Sequence, residues 1–351
     1  MENEILRIGM PSGSLASAQR GGNLIKLLDD AGFNTMGYDE GGPTKFKTVN
    51  FMYGWDGRPQ EFGSQLCIDE LDVAISGDDW IRERVIEFEY EYNVEVHLEN
   101  VLPLKRGKVK LVGIIPGESV HNRIEDYLTE IASKSSIITV VSELPYLALD
   151  WMKKKIESAN LTSKFSAFSV QKYKTPSKIK SGVVIYETWG KTEAKVKNGG
   201  AHLGVEITQS GSSIRSYGLK IVDTVMESQA GVWINPKVKS NPQKLELLKM
   251  FLINIYGSLN AENKVLVVFN VPNRYNEVIK EYLIENNLFA DEPTMIAGKD
   301  YTQFNIQVDA ADTHLPISRI RYELAKRQAK NIDTIPILSS IQGIDVLSKL
   351  S

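Results

Sequence analysis

The sequence predicts an α/β protein built as two α/β domains with mainly parallel sheets, followed by a C-terminal βαββαβ module. Three observations carry that prediction. Short apolar runs alternate with stretches of helical period from Ile5 onward. From Lys264 the order of elements changes. A glycine- and hydroxyl-rich stretch, "ITQSGSSIRSYGL" (Ile207 to Leu219), follows an apolar strand directly. At 351 residues the chain exceeds one ordinary core, so two or three domains are expected.

"ILRIGM" is a short apolar strand that runs into the turn "PSGSLASAQ", and a helix through Leu24, Leu27 and Leu28 ends near Gly32. Residues 34–65 are rich in glycine without a sustained period and read as irregular hairpin or loop. "LDVAISG", ending on "GDDW", and "KVKLVGIIP" are buried strands of the first domain. Ile124, Leu128 and Ile131 repeat at helical spacing, "SIITVVS" is a strand, and Leu144, Leu147, Trp151 and Met152 mark another helix. "SAFSVQKY", "SGVVIYET" and "HLGVEIT" are strands leading to the hydroxyl-rich loop. "LKIVDTVMESQAGVWINP" then returns the chain to the first domain. Asn241 and Pro242 open a helix with Leu248, Phe251, Leu252 and Ile255 on one face. These readings give a first α/β domain over 1–115 and 218–258, and a second, carrying the loop, over 116–217.

From Lys264 come the strand "KVLVVFNVP", a helix stripe of Tyr275, Val278, Ile279, Tyr282 and Leu283, and the strands "TMIAG" and "YTQFNIQVDA". A helix around Ile320 and Leu324 and the strand "TIPILSSI" complete a ferredoxin-like module over 262–351.

Composition narrows the function classes. The chain is 42% hydrophobic and 24% charged, the balance of a soluble globular protein. A formal net charge of −3 leaves no electrostatic footprint for nucleic acid. No apolar run reaches membrane-spanning length, and the acidic, broken start is not a signal peptide, so a cytoplasmic protein is expected. The single Cys67 excludes an intrachain disulfide, and His97, His121, His202 and His314 lack the spacing of a metal site on one helix. The basic stretches "KRGKVK" and "KYKTPSKIK" read as solvated loops and strand edges.

The chemistry concentrates at strand ends. The strand "GVEIT" delivers the chain to the loop, and a short helical turn ends near Gly218. Free N–H groups and the positive end of the dipole at such a turn suit a phosphate. Ser210, Ser212 and Ser213 add hydroxyls, and Gly211 permits close backbone approach. A solvated Ser/Gly turn has the same composition, and the pattern alone does not separate the two. Glu206, near the end of its strand, would accept from ribose hydroxyls or help hold a Mg²⁺ that bridges phosphates; taken alone it reads first as an exposed strand-end carboxylate. "PSGSLAS" repeats the strand, Gly/Ser turn and helix order, and "SGDDW" sets Asp78 and Asp79 at another strand end. Ligands of open α/β sheets bind outside the carboxyl ends of the strands, so these ends point to one cleft.

Those segments carry a resemblance. The chain resembles the ATP phosphoribosyltransferases, the first enzymes of histidine biosynthesis, in their long form. "SGSSIRSYGL" is similar to that family's phosphoribosyl pyrophosphate loop, and "WGKTEAKV", with Gly190 and Glu193, to its GS-x-E-x-AP element. "LDVAISGDDWIRE" and "MPSGSL" look like its first-domain segments, "NVPNRYNEVI" and "DEPTMIAG" like openings of its regulatory domain. The resemblance implies two periplasmic-binding-protein-like domains plus a ferredoxin-like regulatory domain. It implies transfer of the phosphoribosyl group to N1 of ATP with inversion and release of pyrophosphate, assisted by Mg²⁺. It assigns Glu193 and Glu206 to catalysis, with Glu206 also at the metal. Phosphoribosyl pyrophosphate falls to Ser210, Gly211, Ser212, Ser213, Ile214 and Arg215, and the nucleotide to Ser12, Gly13, Ser14 and Asp78. Histidine as effector would meet Asn270 and Thr294, in a homodimer or homohexamer.

The departures are specific. Ser12 and Ser14 stand where the family has Lys and Arg, Ser replaces Thr at 210, 212 and 213, and Glu206 and His202 stand where Asp is usual. Asn270 occupies a place where an acid would pair with the effector's amino group. Two alternatives therefore stay open: a paralogous phosphoribosyltransferase with another acceptor, and a non-catalytic cytoplasmic small-molecule sensor.

Overall fold

The computed structural model describes residues 4–17, 22–38, 44–289 and 294–350. Two compact units divide the chain: one takes in Met1–Lys26 and Asn34–Leu248, the other Leu27–Phe33 and Lys249–Lys349.

The first unit holds two large sheets. In the five-stranded sheet Met52–Gly57, Leu6–Pro11 and Val73–Gly77 lie parallel, then Ala230–Ile234 runs antiparallel beside Glu99–Pro103. The six-stranded sheet runs Leu219–Ser228, Val109–Pro116, Leu203–Thr208, Ile137–Ser142, Gly182–Glu187, Phe168–Lys172; its last four strands are parallel and Val109–Pro116 is antiparallel to both neighbours. Mainly parallel sheets, each with one reversed strand, give the two α/β domains that the sequence predicts. The strands of the second sheet are apolar on both sides because both faces are covered. Ile138, Val140, Val183 and Ile185 enter one core with helices Ile124–Lys134 and Pro145–Ser158. Val141, Val184 and Tyr186 enter another with Val196 and Ile214.

Two expectations are corrected here. Val109–Pro116 belongs to the six-stranded sheet and not to a first domain over 1–115, and Leu219–Ser228 stays there too; only Ala230–Ile234 returns. The chain therefore changes sheets near residues 104–108 and at Gln229. An apolar strand suits either sheet, so its period carries no information on which it joins. The described parts of 34–65, residues 34–38 and 44–65, are more regular than their glycines suggest. Besides the small hairpin Thr35–Met36 with Lys45–Phe46, they supply the edge strand Met52–Gly57 and the helix Pro59–Cys67. A Cβ at Gly63 would lie 2.7 Å from Arg84 Cβ, so the residue that breaks the helical pattern lets this helix close on Asp78–Tyr92. Glu99–Pro103 is a further strand without a sequence signal. Residues 39–43, the end of "PSGSLASAQ" and Asp291–Pro293 of "DEPTMIAG" lie outside the described residues.

The second unit carries Lys264–Pro272, Asn276–Glu285, Thr294–Ala297, Tyr301–Asp309, Ile317–Lys326 and Lys330–Pro336, with an all-antiparallel sheet in the βαββαβ connection of a ferredoxin-like module. Val267, Phe269, Val271, Phe304 and Ile306 pack under Ile279, Leu283, Ile320 and Leu324. Val278 departs from the expected stripe and is exposed, and the last strand begins at Lys330 instead of Thr334. Asn241 caps the helix Pro242–Ala261 as expected, its Oδ1 accepting from the N–H groups of Gln243 and Lys244. No helix among the described residues is long and apolar enough to cross a membrane.

One buried carboxylate joins the two sheets of the first unit. Glu83, on the helix Asp78–Tyr92, accepts from the N–H groups of Tyr146 (3.0 Å) and Leu147 (2.8 Å) in the first turn of Pro145–Ser158. Burial pushes Glu83 up to about 8 from an ordinary 4.5. The folded protein thus holds this proton more tightly than the unfolded chain. The contribution of Glu83 is complete below about 4.5 and declines as pH rises through about 8. Glu83→Ala leaves two buried donors without an acceptor, and urea unfolding should show a loss of about 1–3 kcal/mol for each. Glu83→Gln should flatten the fall in stability between pH 5 and pH 8. An unchanged unfolding midpoint in both variants would remove the clamp.

Candidate active site

The hydroxyl-rich loop is shaped by one glycine. Gly211 adopts φ +71° and starts the short helix Ser212–Ser216; a Cβ there would lie 2.9 Å from Arg215 Nη1 and 3.2 Å from Ile221 Cδ1. The Gly211 N–H donates to Thr208 Oγ1 (2.8 Å), the Ser212 N–H to Ser210 Oγ (3.3 Å), and the Arg215 guanidinium to the Ser210 carbonyl (3.0 Å). The next two amides, of Ser213 and Ile214, make no hydrogen bond among the described residues. They are the unspent donors of the first turn, the arrangement that receives an anion. The Ile214 side chain is fully buried in the core, so its N–H is what it can offer a ligand.

Three carboxylates gather beside the loop. Glu193, in the first turn of Thr192–Lys197, accepts from Ser213 Oγ at 2.7 Å. Glu206 is pushed up to about 7 by burial, and then by the charges of Glu193 and Glu143. Glu143 had no sequence signal beyond its place just after the parallel strand Ile137–Ser142. The nearby Lys195 donates instead to the Gly190 carbonyl (2.6 Å), and no Lys or Arg forms an ion pair with the three acids among the described residues. Concentrated negative charge without a cation suits a hard divalent ion. Among the described residues no group of three or more His, Cys, Asp or Glu is arranged to hold a metal, so such an ion would need oxygens from a substrate as well.

The other strand ends meet in a cleft. Leu6–Pro11 ends in the exposed turn Ser12, Gly13 (φ +83°) and Ser14. Ser12 and Ser14 line a cavity of about 220 Å³ with Trp80, Gln209 and Ser228. An adjoining cavity of about 430 Å³ takes in Asp78, Lys108, Lys110 and Glu227, and the two share Val109, Gln209 and Ser228. Asp78 is already engaged: Oδ1 accepts from Asn100 Nδ2 (3.1 Å) and Oδ2 from the Gln229 N–H (3.3 Å). The structure therefore brings Ser12, Ser14 and Asp78 together with Gln209, at the head of the loop. Glu193, Glu206 and residues Ser210–Arg215 form a neighbouring cluster that lines neither cavity. Lys108, in the loop, and Lys110, on the strand Val109–Pro116, are exposed and also line the larger cavity. His202 is structural; its Nδ1 accepts from the Thr139 N–H (3.0 Å).

The loop geometry is open to a stability test. Gly211→Ala should cost about 1–2 kcal/mol in urea unfolding from the left-handed backbone alone. Gly211→Val should cost more, because its methyls would meet Arg215 and Ile221. Wild-type stability for the valine variant would show that the loop refolds without that conformation.

Comparisons with known proteins address the same residues. The ATP phosphoribosyltransferase (HisG) family model matches residues 58–254, a span that includes Asp78, Glu193, Glu206 and the loop and excludes the Ser12–Ser14 turn. The chain is 26% identical over 286 residues to the ATP phosphoribosyltransferase of Geotalea uraniireducens (strain Rf4), covering 80% of this chain and 82% of that protein. It is 25% identical over 340 residues to ATP phosphoribosyltransferase 1 of Geobacter sulfurreducens, covering 95% and 98%. A solved ATP phosphoribosyl transferase (HisG:HisZ) complex from Thermotoga maritima is similar at 15% identity and a TM-score of 0.48, over 72% of this chain and 97% of that one. With more than half its length matched by the family model, the chain belongs to the ATP phosphoribosyltransferase family.

Proposed function

We propose that the chain transfers the phosphoribosyl group of phosphoribosyl pyrophosphate to N1 of ATP and releases pyrophosphate, the first step of histidine biosynthesis, in the cytoplasm. The observation that carries this reading is the pair of free amides at Ser213 and Ile214 beside the Glu193–Glu206 cluster. The 5′-phosphate is received by those amides, with Gly211 admitting close backbone approach, Ser210 and Ser212 offering hydroxyls, Ser213 its N–H, and Arg215 at the rim. Glu206 accepts from the ribose hydroxyls, and Glu193 orients Ser213 at 2.7 Å. In the reaction the bond from the anomeric carbon to pyrophosphate breaks as the bond to N1 forms on the opposite face. Charge develops on the ribose ring, so the carboxylates that hold the ring also stabilise its oxocarbenium character. No covalent nucleophile is needed; the chain's task is positioning.

The uncompensated acids fit Mg²⁺, held by Glu206 together with substrate oxygens. Bound there, Mg²⁺ would neutralise charge on the leaving pyrophosphate. Ser12, Gly13, Ser14 and Asp78 face the nucleotide. A second reading, transfer to another acceptor, is favoured by the neutral Ser12 and Ser14 turn. A small-molecule sensor would bind without turnover. The C-terminal module is read as the assembly element of a homodimer or homohexamer.

Pyrophosphate release with phosphoribosyl pyrophosphate, ATP and Mg²⁺ is expected, and its kcat/KM should rise with pH through about 7 as Glu206 loses its proton. Glu206→Gln should lower the rate about ten-fold to a hundred-fold, the value of one hydrogen bond to a charged group, and flatten that rise. Product from another base but not from ATP would establish the second reading. Binding without turnover on any base would leave the sensor.

Histidine should inhibit weakly. Asn270 and Thr294 share the sheet face opposite the helices, their strands flanking Tyr301–Asp309. An amide at 270 accepts a hydrogen bond but supplies no charge for an amino group. Titration of histidine against activity and sedimentation should give no change at micromolar concentration; tight inhibition there would assign the effector to other residues.

A further inference from the structure

We propose that Lys108 binds the phosphate chain of the acceptor nucleotide and supplies the positive charge that the Ser12–Ser14 turn lacks. This rests on the transferase reading and deepens it. A nucleoside triphosphate is too large for the cavity of about 220 Å³ beside Ser12 and Ser14, and ligand pockets of that class run to roughly 300–1,000 Å³. The acceptor must then extend past Val109, Gln209 and Ser228 into the adjoining cavity of about 430 Å³.

Four charged side chains line that second space: Asp78, Lys108, Lys110 and Glu227. Lys110 is paired with Glu227 at 3.1 Å. Asp78 is held by Asn100 and the Gln229 amide, and burial pushes it up, which weakens its repulsion of an anion. Lys108 is exposed and makes no ion pair or hydrogen bond among the described residues. It is the cation of this lining with its charge unspent.

Its backbone is fixed where the charge is required. Gly107 adopts φ +58°, and a Cβ there would lie 2.7 Å from Leu15 Cδ2, so the chain before Lys108 packs directly on the residue after Ser14. The Arg106 carbonyl accepts from the Ala230 N–H at 2.8 Å, which ties the same segment to the strand that re-enters the first sheet. A flexible four-carbon stem on an anchored backbone suits a phosphate chain, which a lysine meets as a point charge.

The test is initial-rate kinetics of pyrophosphate release in wild type, Lys108→Ala and Lys108→Arg, varying each substrate in turn, with calorimetric binding of ATP and adenosine to the same proteins. Lys108→Ala should raise the KM for ATP about ten-fold to a hundred-fold, from the loss of one charge-assisted contact, and leave kcat and the KM for phosphoribosyl pyrophosphate within two-fold. Lys108→Arg should recover most of the loss. The preference for ATP over adenosine should shrink in Lys108→Ala by the same factor. An unchanged ATP preference, or equal losses for both substrates, overturns the proposal. If wild type binds ATP without forming product, the transferase reading fails on its own, and the ATP-to-adenosine ratio still decides the role of Lys108.

Discussion

Asp79 and Ser228 hold the point at which the chain passes from one sheet to the other, and the cleft is built around that bond. The Asp79 N–H donates to Ser228 Oγ (3.1 Å), and the Ser228 hydroxyl returns a bond to Asp79 Oδ1 (2.9 Å), with both residues buried. Asp78 and Gln229 repeat the reciprocity one residue along, through the Asp78 N–H to the Gln229 carbonyl and the Gln229 N–H to Asp78 Oδ2. The other crossing runs alongside, Leu104 and Arg106 bonding to Ala230. Gly77 has no alternative here, since a Cβ would overlap Asp79 Oδ1. Two aspartates that read in the sequence as ligand groups thus serve first to pin the crossover. Burial holds both above the usual carboxylate range.

The electrostatics of the first unit are divided. The loop side concentrates Glu143, Glu193 and Glu206, while the turn at Ser12–Ser14 is neutral. A polyanionic substrate meets a chain of net charge −3, so long-range steering does not favour it. In the proposed reading, attraction falls to short-range groups: the amides at Ser213 and Ile214, Arg215 and Lys108, with a divalent ion as counter-charge. A raised Glu206 is consistent with that economy, because a cation beside it would restore the carboxylate.

Much of this was legible in the residues, for identifiable reasons. The C-terminal module announces itself through alternation along "YTQFNIQVDA", where Thr302, Phe304, Ile306 and Val308 are buried and their neighbours are not. The hydroxyl loop was legible because a left-handed residue admits glycine and the surrounding hydroxyls cap their own backbone. Other features are tertiary and leave no local trace. Which sheet takes Val109–Pro116 is decided by partners far away in sequence. Gly54, Gly57 and Gly63 read as loop signals, yet each permits a close approach: Gly54 to Thr44, Gly57 to Phe62, Gly63 to Arg84. Lys108 and Glu143 are ordinary charges until the fold sets one in a cavity wall and the other beside two acids.

The groups of the candidate site are held by a core rather than by the loop itself. Val141 lies two residues before Glu143, Val196 one helical turn after Glu193, and Ile214 directly after Ser213; these two valines and one isoleucine belong to one buried cluster on the second sheet. Gly204 lets the helix of Glu193 close on the strand of Glu206, since a Cβ there would already stand 3.0 Å from both Thr192 Cγ2 and Val196 Cγ2. Packing therefore fixes the separation of the acids and of the two free amides before any ligand arrives. A site whose chemistry is positioning gains most from donors that need not reorganise as charge develops. On that account the absence of a side chain at 204 and the buried methyls at 214 set the geometry of the candidate site from behind it.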